Sequence, residues 1–94
     1  MNLELNNEQY KELIKLIFLG EWVVNAIREN PEDYEFNETE QNIYSQFKNF
    51  KSQDLIEYDQ DSQTYLPTKK MEKEMMPYLE EFLENSRGDF IGYN

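Results

Sequence analysis

The segment from Leu13 to Ile27 constrains this chain more than any other, because only Lys15, Gly20, Glu21 and Asn25 in it are not apolar. It contains no proline, and Pro31 lies just beyond it, so it reads as part of one long helix over residues 8–29. Asn6 and Gln9 have the spacing of a capping box, and Glu8 and Glu12 suit the positive first turn. At about 100° per residue, Tyr10, Leu13, Leu16, Ile17, Val23, Val24 and Ile27 fall on one broad arc around Gly20. Phe18, Leu19, Trp22 and Ala26, with Ile14, cover much of the rest. A helix apolar on two sides is normally buried on both, which is hard to achieve in a 94-residue chain. The expectation is that the first arc holds the domain together. The second arc, Phe18, Leu19, Trp22 and Ala26, is the expected partner-binding surface, with a homodimer seam as its natural form. The competing reading is that a third helix and a hairpin cover these four side chains. Gly20 would admit a close neighbour on either reading.

Downstream, Asn37 and Glu40 have the spacing of a second capping box and open a helix over residues 38–51. Phe36, Ile43, Phe47 and Phe50 form its apolar stripe. The β-prone runs Leu55-Ile56-Glu57-Tyr58 and Thr64-Tyr65-Leu66 flank the turn-rich Asp59-Gln60-Asp61-Ser62, which predicts a hairpin over residues 55–66. A hairpin alone is marginal and must lie against helices. A third helix follows over residues 69–85, with Met71, Met75, Tyr78 and Phe82 on one face. Pro77 either kinks it or divides it. Residues 86–94 read as a tail. The fold class expected is therefore a single domain, mainly α with a small β-hairpin, in the order α-α-β-β-α.

Charge and missing residue types exclude several functions. Twenty Asp and Glu against nine Lys and Arg give a formal charge of −11. Direct nucleic-acid binding is not expected of such a chain, because phosphate contacts need clustered cations. An anionic membrane would repel it, and the apolar stretch is too short and too polar to span a bilayer. There is no cysteine and no histidine, so thiol chemistry, disulfides, the usual zinc ligands and the commonest general base are all missing. The polar, acidic start of the chain does not read as a signal peptide, and the lack of staples in so small a domain favours the cytoplasm.

The candidate chemical motifs are incomplete. Asp59, Asp61 and Gln63 imitate the first ligands of a calcium loop, but Thr64 and Lys70 stand where Gly and Glu are required. Ser62, Thr64 and Ser86 have no histidine to activate them. Glu74, Glu80, Glu81 and Glu84 read as a solvated helix face, without the desolvation or coupling that catalytic carboxylates need. Lys69, Lys70 and Lys73 cluster at a helix start, against the dipole, and are expected to pair with nearby acids. No catalytic residue, metal ligand or cofactor site is expected.

The runs Leu19-Gly20-Glu21-Trp22 and Tyr65-Leu66-Pro67-Thr68 resemble a group of small, uncharacterised bacterial proteins with an early Leu-Gly-x-Trp helix and a later Tyr-x-Pro-Thr segment. That pattern continues into an Arg-Asp pair, which is split here as Arg87-Gly88-Asp89. The resemblance implies no activity.

The functional expectation is a non-enzymatic protein-interaction module, homodimeric through the first helix. One alternative is an acidic inhibitor that mimics nucleic acid, such as a phage-type antagonist of a defence nuclease. Another is a degenerate winged-helix protein, since the hairpin resembles a wing; its turn, however, carries two aspartates where phosphate would sit.

Overall fold

The computed structural model describes residues 4–26 and 34–93, with side chains as far as residue 85. Five elements follow one another: α1 (Asn7–Ala26), α2 (Asn37–Tyr44), β1 (Ile56–Asp59), β2 (Thr64–Pro67) and α3 (Lys69–Tyr93). The mainly helical α-α-β-β-α order is as expected. No helix among the described residues is long and apolar enough to cross a membrane.

Local chemistry starts α1 and α3 where the sequence predicts. The Asn6 backbone N–H donates to Gln9 Oε1 at 3.0 Å, and the Gln9 N–H donates to Asn6 Oδ1 at 2.8 Å. This reciprocal box satisfies two donors that a helix start leaves without partners. Thr68 caps α3: its hydroxyl accepts the Met71 N–H at 3.2 Å and donates to the Asp54 carbonyl at 2.6 Å.

The second predicted helix is shorter than its pattern. α2 ends at Tyr44, and residues 45–51 continue as tight turns, with Phe47 N–H on the Tyr44 carbonyl and Phe50 N–H on the Phe47 carbonyl. Lys51 has a φ of 51°, Ser52 N–H reaches the Phe47 carbonyl at 2.8 Å, and Lys51 N–H reaches the Lys48 carbonyl at 3.2 Å. This is a Schellman closure with lysine in the left-handed position. Glycine usually takes that position; here a lysine holds it, at the residue where the apolar stripe is expected to end. The predicted Asn37 cap is also displaced. Phe36 holds the N-cap position with no side-chain hydrogen bond, and Glu40 turns inward instead of closing a box.

β1 and β2 pair antiparallel, Ile56 opposite Pro67 and Asp59 opposite Thr64. Gln41 of α2 holds the hairpin: its amide accepts the Tyr65 N–H at 2.8 Å and donates to the Tyr65 carbonyl at 3.0 Å. A single side chain thus completes both backbone valences of an edge residue, as a neighbouring strand would.

α3 passes through Pro77 without dividing, since the proline is exposed and water can serve the Lys73 carbonyl. The helix also continues to Tyr93, so most of the predicted tail is helical backbone. Gly88 and Gly92 do not stop it, because an interior glycine costs a helix only about 1 kcal/mol.

The core lies where α1, α2, the hairpin and the first turns of α3 meet. Tyr10 and Ile14 face Tyr44, Phe47, Leu55, Ile56, Met71 and Met75. Tyr10 stacks on Phe50 with ring centroids 4.4 Å apart, and its hydroxyl donates to the Ile43 carbonyl at 2.6 Å. Burial pushes that hydroxyl's pKa up to about 12, so it stays a donor. At the rim, Asp54 receives Lys70 at 3.0 Å and Lys11 at 3.5 Å. Burial raises the Asp54 carboxyl, but these two ammonium groups outweigh it and leave the group below its ordinary pKa.

Candidate functional site

The two arcs of α1 are distributed otherwise than the apolar pattern predicts. The inward line runs Tyr10, Ile14, Ile17 and Glu21, at the spacing of one helix face. Leu16 and Val23, assigned to the arc that holds the fold, are 66% and 42% exposed. Gly20 between them is exposed as well, with nothing within 4 Å of where a Cβ would stand. The expected core arc is therefore divided: Tyr10 and Ile17 pack inward, Leu13 and Val24 are half-buried, and Leu16, Gly20 and Val23 form an outward stripe; Ile27 lies outside the described residues. Assignment by apolar count finds Tyr10 and Ile17 but leaves out Ile14 and Glu21, because an acid on the line breaks its apolar pattern.

The four expected partner residues divide. Phe18 and Leu19 are partly buried and packed against the core. Trp22 is half-buried, edge-on to Phe82 of α3 with centroids 6.4 Å apart, and Ala26 is exposed. Phe18, Trp22 and Ala26 come together along an open groove of about 580 Å³, whose other side is formed by Pro67 and Glu72. Leu19 does not line it. Beside Trp22, α3 displays Tyr78, Phe82 and Leu83, each exposed.

Sequence reasoning missed an acid pair. Glu40 of α2 is only 5% exposed, and its carboxyl lies beside that of Glu21 on α1. Two carboxyls can bond to each other only when one of them carries a proton, since an ionised carboxylate only accepts. Burial, the bond to Glu21 and the charge of Glu21 together push the Glu40 pKa up to about 8. Glu40 Oε1 has no hydrogen-bond partner among the described residues, nor does the buried hydroxyl of Tyr44. Burial raises the Tyr44 pKa, followed by the charges of Glu40 and Glu21. Glu40 also lines a recess of about 190 Å³ between α1 and the approach to α2. The missed signal was positional. Glu21 lies seven residues after Ile14, and Glu40 four before Tyr44, so each shares a face with a core residue.

No known protein family, characterised protein or solved structure matches the chain. Its chemistry is read from its own residues.

The other candidates resolve into local structure. Asp59 accepts the Ser62 hydroxyl at 2.7 Å and the Asp61 N–H at 3.3 Å, so the calcium-like sequence forms the hairpin turn. Those bonds, Ser62 first, lower the Asp59 pKa. Of the lysine cluster, Lys70 is paired with Asp54, while Glu74 pairs with Lys15 at 3.7 Å. Among the described residues, no three acidic side chains converge in a way that would hold a metal ion.

Proposed function

We propose that this chain is a non-enzymatic protein-interaction module that forms a homodimer through the outward stripe of α1. The observation that carries this reading is the exposure of Leu16 and Val23 on either side of the open Gly20. Their spacing places them on one side of the helix, and a stripe of this kind is self-complementary about a two-fold axis. Gly20 lets the facing backbone approach closely. Covering apolar area contributes about 25 cal/mol per Å², against the repulsion of two chains each carrying −11. Association should therefore strengthen as salt screens that repulsion.

Sedimentation velocity at micromolar concentration tests this. The expected species has twice the 11.5 kDa chain mass, and its share grows between low and moderate salt. Leu16→Glu with Val23→Glu should return the chain to a folded monomer with unchanged helical circular dichroism. A wild-type chain that remains at 11.5 kDa under all these conditions overturns the proposal. So does a dimer that survives the α1 pair but is broken by Phe82→Glu with Leu83→Glu, which would put the seam on α3.

A further inference from the structure

We propose that the open groove between α1 and the junction of β2 with α3 docks a basic amphipathic helix of another protein. The groove lies on the side of α1 opposite Leu16, Gly20 and Val23, so it is separate from the proposed dimer seam. Its volume of about 580 Å³ has room for several side chains rather than one. Phe18, Trp22, Ala26 and Pro67 supply its apolar surface. Phe82, edge-on to Trp22, carries that surface on to the exposed Tyr78 and Leu83 of α3. A contiguous exposed apolar patch marks an interaction surface, where a lone exposed side chain does not.

The walls select the form of the occupant. α1 and α3 use their backbone N–H and C=O groups within the helices, and Pro67 has no N–H to give. An extended chain would find no run of ladder partners there. A helix brings its own backbone bonds and needs only an apolar face at i, i+3, i+4 and i+7.

Charge selects its sign. Glu21 and Glu72 are the charged residues that line the groove, and both are acidic. Residues 18–26 of α1 and 74–84 of α3, which bear the apolar surface, contain glutamate but no Lys or Arg. Lys69 and Lys73 stand near Glu72 in sequence but do not line the groove. Among the described residues, Lys11 and Lys70 are held by Asp54 and Lys15 by Glu74, so neither groove acid has a cation. A partner with lysines or arginines beside its apolar face supplies one. A second copy of this chain, at −11, would bring more negative charge to the same place. Exposed ion pairs contribute little each, so the apolar face supplies the affinity and the charges reject acidic partners.

The chain has one tryptophan, Trp22, so its fluorescence reports on the groove directly. The test titrates the full chain with a tryptophan-free peptide of about 15 residues, long enough for a helix, with leucines at i, i+3, i+4 and i+7 and lysines beside them. A version with glutamate for lysine and a version with its leucines spread around the helix are the controls. The basic peptide should give a saturable blue shift at one peptide per chain, weakening about tenfold between about 50 and 500 mM salt. Both controls should bind at least about tenfold more weakly. Glu72→Lys should lose about fivefold or more, and Ala26→Arg, which narrows the groove and adds a repelling charge, about tenfold or more. Glu57→Lys makes the same charge change as Glu72→Lys but on the hairpin, outside the groove, and should lose less than about twofold. All three positions are exposed, so each variant should keep the wild-type circular dichroism. Leu16→Glu with Val23→Glu should bind the peptide at least as tightly as wild type, whether or not the wild type is dimeric. Equal binding of the acidic peptide, equal losses from Glu57→Lys and Glu72→Lys, no saturable change at Trp22, or loss of binding in the Leu16 and Val23 pair overturns the proposal.

Discussion

Ile14 and Leu16 are isomeric side chains two positions apart on the same helix, yet the first is 0% exposed and the second 66%. The inward face of α1 meets the core of α2, hairpin and α3, while the outward face leaves Leu16, Gly20 and Val23 exposed. The outward face is no less apolar than the inward one, which carries Glu21 in line with Tyr10 and Ile14. Burial in this helix therefore follows from what stands opposite each residue, and hydrophobicity alone does not rank the faces. α3 repeats the lesson along its length. Met71, Met75 and Leu79 are buried, but Tyr78 and Phe82, which the pattern puts on the face of the two methionines, are exposed, with Phe82 edge-on to Trp22 of α1.

Four substitutions sharpen the contrast. Ile14→Ala should have the largest effect, costing about 3 kcal/mol in urea unfolding through lost burial and a residual cavity. A cost below about 1 kcal/mol would mean that the inward face is not the core.

Glu40→Gln probes the polar interruption of that face, with opposite sign. The ordinary carboxyl pKa of 4.5 is pushed up to about 8 in the folded chain. Between those values the folded state holds a proton that the unfolded state has released. The contribution to stability is complete below the ordinary value and is lost as pH rises through about 8. Wild-type stability should accordingly decline from pH 5 to pH 8. The glutamine variant, fixed in the neutral form, should decline less and exceed wild type by about 2 kcal/mol at pH 8. Parallel curves for the two proteins would contradict the shared proton.

On the outward face, Gly20→Ala should stabilise the monomer by about 0.5–1 kcal/mol, since open space receives the methyl group and alanine favours the helix. Leu16→Ala should change monomer unfolding by less than about 0.5 kcal/mol. Thermal denaturation in the dissociated state reads both, and a large loss from Leu16→Ala would erase the distinction between the faces.

Chemistry that acts within a few residues is legible along the chain. The Asn6–Gln9 box, the start of α3 after Thr68, the hairpin around Asp59 and the element order all depend on neighbours in the chain. The tertiary structure decided the rest. It left Leu16 outside and drew Glu21 inside, because which arc packs depends on where α2 and α3 lie. It turned Glu40 from a plausible cap into the buried half of an acid pair, since the same spacing serves either role until a second carboxyl is placed beside it. It ended α2 at Tyr44 and carried residues 45–51 on as tight turns, up to a closure at Lys51. Only in three dimensions do Glu40, Tyr34 and Gly20 line one recess, because they come from segments that local pattern cannot bring together.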